Sequence, residues 1–165
     1  MNKLLIYMVS YQRKEYTQGN IINTSKIAPQ GSEMIICDNG STDGTREWLK
    51  QNQEKYNLKL LFPDKNLRVA GAWTLLAQQL SANEFDYILV LDNDHWMIPH
   101  NKNWFKECLE IYNLDKNIGS LGLLGRRKPG WFGDETKQDP SFENRKTFKN
   151  QEYYSTIFYA GCRLD

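Results

Sequence analysis

Short apolar runs alternate with amphipathic stretches along the chain, and that alternation predicts its elements. Residues 4–9, Leu-Leu-Ile-Tyr-Met-Val, are an apolar run of strand length. A polar stretch follows that reads as helix up to Ile27, with Pro29 and Gly31 ending it. Residues 33–37 predict a second strand, 39–44 a turn with N-cap candidates, and about 45–52 a helix. A third strand is expected at 58–62, stopped by Pro63. Over 70–82, Trp73, Leu76, Ala77 and Leu80 fall at helical spacing. Tyr87-Ile88-Leu89-Val90-Leu91 then reads as a buried strand running into Asp92-Asn93-Asp94.

Trp104, Phe105, Cys108, Leu109 and Tyr112 mark a further amphipathic helix, and residues 118–124 another strand. From 125 to about 153 no periodicity is sustained, and Gly, Pro, Lys and Asp dominate, as in a long functional or disordered loop. Residues 154–161 predict a last strand. Strands alternating with helices imply an α/β fold with a largely parallel, covered sheet. The chain has 165 residues with no internal repeat or clear linker, which suits a single domain over 1–165 with its own core.

Charge narrows the partners. Lys plus Arg number 21 against 20 for Asp plus Glu, so nothing global suggests a nucleic-acid partner. Arg126-Arg127-Lys128 and Arg145-Lys146 are local basic clusters, read as solvated surface or as contacts for a phosphate or anionic acceptor. No apolar run approaches a membrane span, and Met1-Asn2-Lys3 leads straight into a strand, so a cytoplasmic location is expected. Cys37, Cys108 and Cys162 lack CxxC spacing and sit among apolar neighbours, which argues for reduced thiols over disulfides or zinc.

The candidate chemistry lies at the strand ends. Alternation along a strand puts Asp92 and Asp94 on one face and Asn93 on the other. Two carboxylates outside the carboxyl end of a parallel strand are a seat for Mg²⁺ or Mn²⁺ bridging to phosphate; Asp-Asn-Asp also suits a plain turn. Ser10-Tyr11-Gln12-Arg13 and Asp38-Asn39-Gly40-Ser41 end the first two strands, so three polar strand ends converge on one edge of a parallel sheet. No P-loop, Gly-x-Gly-x-x-Gly or Gly-x-Ser-x-Gly occurs, and His95 and His100 have no nucleophile partner. Trp48, Trp73 and Trp104 fall at helical spacing as core residues do, whereas Trp96 and Trp131 are candidates to stack on a sugar ring.

In four successive places, and in a fifth further on, the chain resembles the family 2 glycosyltransferases. Val9-Ser10-Tyr11-Gln12-Arg13 resembles the family's first strand end, and Ile36-Cys37-Asp38-Asn39-Gly40-Ser41-Thr42-Asp43-Gly44-Thr45 its Val-Asp-Asp-Gly-Ser-Thr-Asp-Gly-Thr stretch. Asn66-Leu67-Arg68-Val69-Ala70-Gly71-Ala72 is similar to its Asn-x-Gly-x-x-x-Ala segment, with Arg68 where the family usually has Gly. Leu91-Asp92-Asn93-Asp94, with Pro99 downstream, is similar to its Asp-x-Asp metal motif, and Phe158-Tyr159-Ala160-Gly161-Cys162 to its later Gly-containing strand.

The resemblance implies a GT-A (Rossmann-like) α/β/α sandwich and metal-dependent, inverting transfer of a sugar. The donor would be a nucleotide-diphosphate sugar, UDP-sugar first, and the acceptor a carbohydrate or other hydroxyl. It implies that Tyr11 lies on the base, Asp38 accepts from the base edge, and Asp92 contacts the ribose or a metal-bound water. Asp94 would ligate Mn²⁺ or Mg²⁺, with Asp92 beside it. Ser10, Arg13, Asn66, Arg68, Gly71 and Asn93 complete the expected nucleotide-sugar contacts. The family's base lies beyond its Gly-containing strand, past Asp165 in this numbering, so the catalytic residue is unassigned and the acceptor part is expected to be missing. Asp134, Glu135 and Asp139 are the nearby carboxylates of the long loop. Two other readings stay open: a nucleotide-sugar-binding module without turnover, and a GT-A-like nucleotidyltransferase, although the latter's Gly-rich first loop has no counterpart at residues 10–14.

Overall fold

The structure, a computed structural model, describes residues 2–80, 84–94, 102–114, 118–121, 145–148 and 151–154. They fall into two compact units, Met1–Lys102 and Asn103–Asp165. The first unit holds β1 (Leu4–Ser10), α1 (Lys14–Ile27), β2 (Glu33–Asp38), α2 (Thr45–Asn52), β3 (Leu58–Leu61), α3 (Arg68–Gln79) and β4 (Tyr87–Asp92). Strand–helix alternation gives the parallel sheet foreseen from the sequence, in the order β3-β2-β1-β4. The register sets Ser10 beside Asp38 and Val9 beside Asp92, so three strands end together at the carboxyl edge. Because β2 and β3 lie on one side of β1 and β4 on the other, the crevice expected of open α/β sheets opens between the loops after β1 and β4.

The central strand is buried on both faces, as its unbroken apolar run requires. On one face Leu5, Tyr7, Ile35 and Cys37 pack against Ala72 and Leu76 of α3, with Trp73, Leu75 and Leu61 at the margin. Tyr7 donates from its hydroxyl to the Ala72 carbonyl at 2.7 Å and meets the Trp73 ring edge-on at 5.0 Å. Burial pushes both the Tyr7 hydroxyl and the Cys37 thiol above their ordinary pKa values, so both are neutral spacers between sheet and helix. Helix α1 buries Thr17, Asn20, Ile21, Thr24 and Ile27. Three of those five are polar, and they bond inward: Asn20 donates to the Asp92 carbonyl at 2.9 Å and Thr24 to Asn20 at 3.1 Å.

The second unit holds α4 (Trp104–Leu114) and the antiparallel pair β5 (Arg145–Phe148) and β6 (Gln151–Tyr154). This hairpin falls where the sequence reads as loop, because two four-residue strands carry too little alternation to register as period two. The strand expected at 118–124 is corrected in its described part: residues 118–121 belong to no strand, Gly119 and Ser120 interrupting the apolar run. Residues 122–124 and 155–161 lie outside the described residues, as do His95, His100, Trp96, Trp131 and Cys162. Cys37 and Cys108 are free thiols, the latter pushed up to about 11 by burial. Among the described residues no helix is long and apolar enough to cross a membrane.

Asp43 joins the starts of two helices. Its Oδ2 accepts from the Lys14 backbone N–H at 2.8 Å, and its Oδ1 from the Thr45 backbone N–H and hydroxyl at 3.1 and 2.6 Å. Partial burial raises the carboxyl's pKa, but these donors outweigh it and hold Asp43 below the usual carboxylate value. A carboxylate depressed in the folded state contributes stability above its unfolded pKa of about 3.9 and loses it as pH falls through the folded value. Asp43→Asn is therefore expected to lower the melting temperature at pH 7, and the gap to wild type should narrow as thermal scans are moved to about pH 3. A gap that stays constant over that range would contradict the ionic role of Asp43.

Candidate functional site

The turn after β1 is built on an unusual backbone. Gln12 and Arg13 both take left-handed φ values, 57° and 58°, and Arg13 is the N-cap residue of α1, its carbonyl accepting from Tyr16 and Thr17. Consecutive non-glycine residues in that region are strained and need support from their surroundings. The β2–α2 turn supplies it. Gln12 donates from its backbone N–H to the Ser41 hydroxyl at 2.8 Å, and its side chain exchanges bonds with the Thr42 hydroxyl and backbone N–H at 3.2 and 3.3 Å. Just past the end of β4, Asn93 donates to the Gln12 carbonyl and to the Thr17 hydroxyl, each at 3.1 Å.

A second set of bonds fixes the approach to α3. Asn39 accepts from the Leu67 N–H at 2.7 Å and donates to the Arg68 carbonyl at 3.2 Å, a pair of roles that a carboxylate could not fill. Gly40 has φ +90°, and a Cβ there would meet the Asn66 backbone nitrogen at 3.1 Å, so both its conformation and its neighbour demand glycine. Arg68 begins α3 at φ 59°, with its N–H bonded to Asn66 Oδ1 at 2.7 Å. The position where the family resemblance implies glycine thus keeps a glycine-like backbone with an arginine on it. A Cβ on Gly71 would stand 2.6 Å from the Leu67 Cβ, so this glycine lets α3 begin tightly.

Between these loops lies a cleft of about 410 Å³. Tyr11, Asn39, Asn66, Arg68, Trp73 and the segment Leu91 to Asp94 line it, with Val9, Val69 and Val90. Tyr11 presents its ring there at 48% exposure. Asp92 and Asp94 are exposed and Asn93 is buried between them, the alternation expected at a strand end. The Arg13 guanidinium is paired with Asp94. Among the described residues no group of three or more His, Cys, Asp or Glu side chains gathers to hold a metal.

Asp38 and Ser10 are placed differently from the cleft-lining residues. Both are fully buried and neither lines the cleft; the Ser10 hydroxyl is bonded to that of Thr17 at 2.9 Å. Asp38 Oδ2 accepts from Arg46 Nε at 2.9 Å, and Arg46 also donates to the Asp38 and Pro63 carbonyls while lying over the Phe62 ring at 4.9 Å. Asp38 Oδ1 is buried with no hydrogen-bond partner among the described residues. The sequence reading missed Arg46. Its signal was a cation in the first turn of a helix, where the dipole disfavours positive charge unless an acceptor is at hand.

Arg68 offers a direct check on what the left-handed turn costs. Arg68→Gly is expected to raise stability by about 1 kcal/mol by relieving that strain. Thermal unfolding measures the effect, and a variant that gains no stability would contradict the strain.

The chain matches the family described as Glycosyl transferase family 2 over residues 5–164. It is 26% identical over 126 residues to abequosyltransferase RfbV of Salmonella typhimurium, a stretch covering 73% of this chain and 38% of that protein. Staphylococcus aureus TarS 1–349 in complex with UDP superposes with a TM-score of 0.59 and 17% identity, over 87% of this chain and 40% of that one. The mannosyltransferase PcManGT from Pyrobaculum calidifontis, in complex with GDP-Man and Mn²⁺, gives 0.59 and 15%, over 76% and 35%. The chain thus spans well under half of the lengths of these proteins. Fold likeness to such enzymes establishes the GT-A architecture, and the match from residue 5 to residue 164 shows that the protein belongs to glycosyl transferase family 2.

Proposed function

We propose that the cleft binds a nucleotide-diphosphate sugar, a UDP-sugar first among them, and that the protein transfers the sugar to a hydroxyl acceptor in a metal-dependent, inverting reaction. The observation that carries this reading is the convergence of an exposed ring, a helix start and two carboxylates on one cleft at the sheet's switch point. The relatives' complexes with UDP and with GDP-Man and Mn²⁺ support the donor class. A carbohydrate acceptor and a cytoplasmic location belong to the same proposal.

Tyr11 is suited to stack on the base, and Asn66 and Arg68, which line the cleft at the start of α3, are suited to meet the diphosphate. Asp38, expected at the base edge, is fully buried and does not line the cleft; its Oδ1 has no donor among the described residues, and it would meet a base only if the cleft wall opened around it. Gly71 and Asn93 act through the loops they shape, Gly71 by the tight start of α3 and Asn93 by tying β4 to the β1–α1 turn. Ser10 supports the same turn from beneath.

The residues present fit a divalent cation. Asp94 already carries a cation on its carboxylate in the form of Arg13, and hard oxygen donors from Asp92 and Asp94 are the ligand type that Mg²⁺ and Mn²⁺ take. Two carboxylates leave room for diphosphate oxygens and water, the usual arrangement for such ions in phosphate sites. A cation held there would neutralise charge on the departing nucleoside diphosphate. The catalytic base is unassigned.

Two substitutions test the reading. Asp94→Ala should abolish the Mn²⁺-dependent part of UDP binding without lowering the melting temperature. Tyr11→Ala should weaken binding by about 1–3 kcal/mol, the scale of one lost base stack. Calorimetric titration with UDP, with and without Mn²⁺, reads both. Metal-enhanced binding that survives in Asp94→Ala would remove Asp94 from the metal seat.

A further inference from the structure

The Arg13–Asp94 pair ties the two sides of the crevice together. Arg13 caps α1 in the loop after β1, and Asp94 stands two residues past the end of β4, so the pair joins the two loops that diverge at the switch point. The Arg13 backbone is fixed by the N–H groups of Tyr16 and Thr17 on its carbonyl and by the bonds that hold Gln12. Its side chain, 60% exposed, reaches out from that anchor to Asp94 at 36%. Asp94 is the carboxylate proposed above as the metal ligand, so a divalent cation and the guanidinium compete for the same oxygens. Two cations cannot share that carboxylate closely without strong repulsion.

We propose that Arg13 is a built-in counter-ion of the metal seat: it holds Asp94 until a divalent cation displaces it, and the displaced guanidinium then binds the nucleoside diphosphate. Arginine suits the second role, since its planar fork pairs with phosphate oxygens as it does with carboxylate. Cation and nucleotide would thereby bind cooperatively. A cation alone must break the Arg13–Asp94 pair with nothing to receive the guanidinium, whereas a diphosphate bound beside the cation receives it.

This inference rests on the metal seat proposed above, and the test separates the two. Mn²⁺ affinity of the full chain without nucleotide is measured by electron paramagnetic resonance, and UDP affinity at saturating Mn²⁺ by calorimetry. Arg13→Gln is expected to bind Mn²⁺ alone up to about five-fold more tightly, the fold-change that corresponds to a broken exposed ion pair. The same variant should bind UDP with Mn²⁺ about ten-fold more weakly, the loss of one charge-assisted hydrogen bond. Opposite signs on the two ligands distinguish an exchanging residue from a structural one, whose loss would weaken both. Unchanged or weaker Mn²⁺ binding in Arg13→Gln overturns the inference.

Asp94→Asn in the same assay shows which claim has failed. If it lowers Mn²⁺ affinity while Arg13→Gln does not raise it, the counter-ion role fails and the metal seat stands. If it leaves Mn²⁺ affinity unchanged, both fail. A measurement on the wild-type chain avoids any folding defect of the variants: the Arg13 Nε–H resonance should shift during a Mg²⁺ titration with the midpoint of Mg²⁺ binding. A resonance that does not respond contradicts the exchange.

Discussion

The site depends on the tie between the turn after β1 and the turn after β2. A parallel sheet brings strand ends to one edge but leaves the loops beyond them to find their own conformations. Here Ser41, Thr42 and Asp43 accept and donate bonds along Gln12 to Lys14, and the Asp43 carboxylate holds the first N–H groups of two helices at once. That support lets Gln12 and Arg13 keep left-handed backbones, which in turn sets Tyr11 on the cleft wall and Arg13 toward Asp94. The stretch from Asn39 to Thr45 therefore works first as a scaffold. Asn39, Gly40 and the hydroxyls of Ser41 and Thr42 are each used by a neighbouring loop.

A second polar layer lies beneath the cleft. Asp38, fully buried at the end of β2, pairs with the partly exposed Arg46, which also satisfies two carbonyls and covers Phe62. Removing one partner from such a pair leaves a buried charge without compensation, which costs far more than an exposed pair contributes. Asn20, Thr17 and Asn93 extend this layer beneath β4, so the strand end that carries Asp92 and Asp94 is held through its backbone and through Asn93. The two aspartates are left exposed at the cleft.

Much of the fold was legible because its strands are short apolar runs and its helix starts carry turn residues. Helix α2 has the expected bounds, and β1, β2, β3 and β4 differ from the reading by at most one residue at an end. The buried face of α1 was not legible as an apolar stripe, since Thr17, Asn20 and Thr24 are buried for their hydrogen bonds. The β5–β6 hairpin was missed because its strands are short and polar, and the expected strand at 118–124 fails over 118–121 for want of a continuous run. In the candidate site, the convergence of three strand ends followed from alternation and parallel pairing. Arg46 and the Arg13–Asp94 pair did not, because they depend on side chains that meet only after the loops close.

The anomalous scattering of Mn²⁺ in crystals of the chain grown with UDP tests whether Asp94 holds a divalent cation against the nucleoside diphosphate in the cleft beside Tyr11. One peak is expected at bonding distance from an Asp94 carboxylate oxygen and from the diphosphate, with the uracil against Tyr11. A peak away from Asp94, or a nucleotide bound outside this cleft, would contradict it.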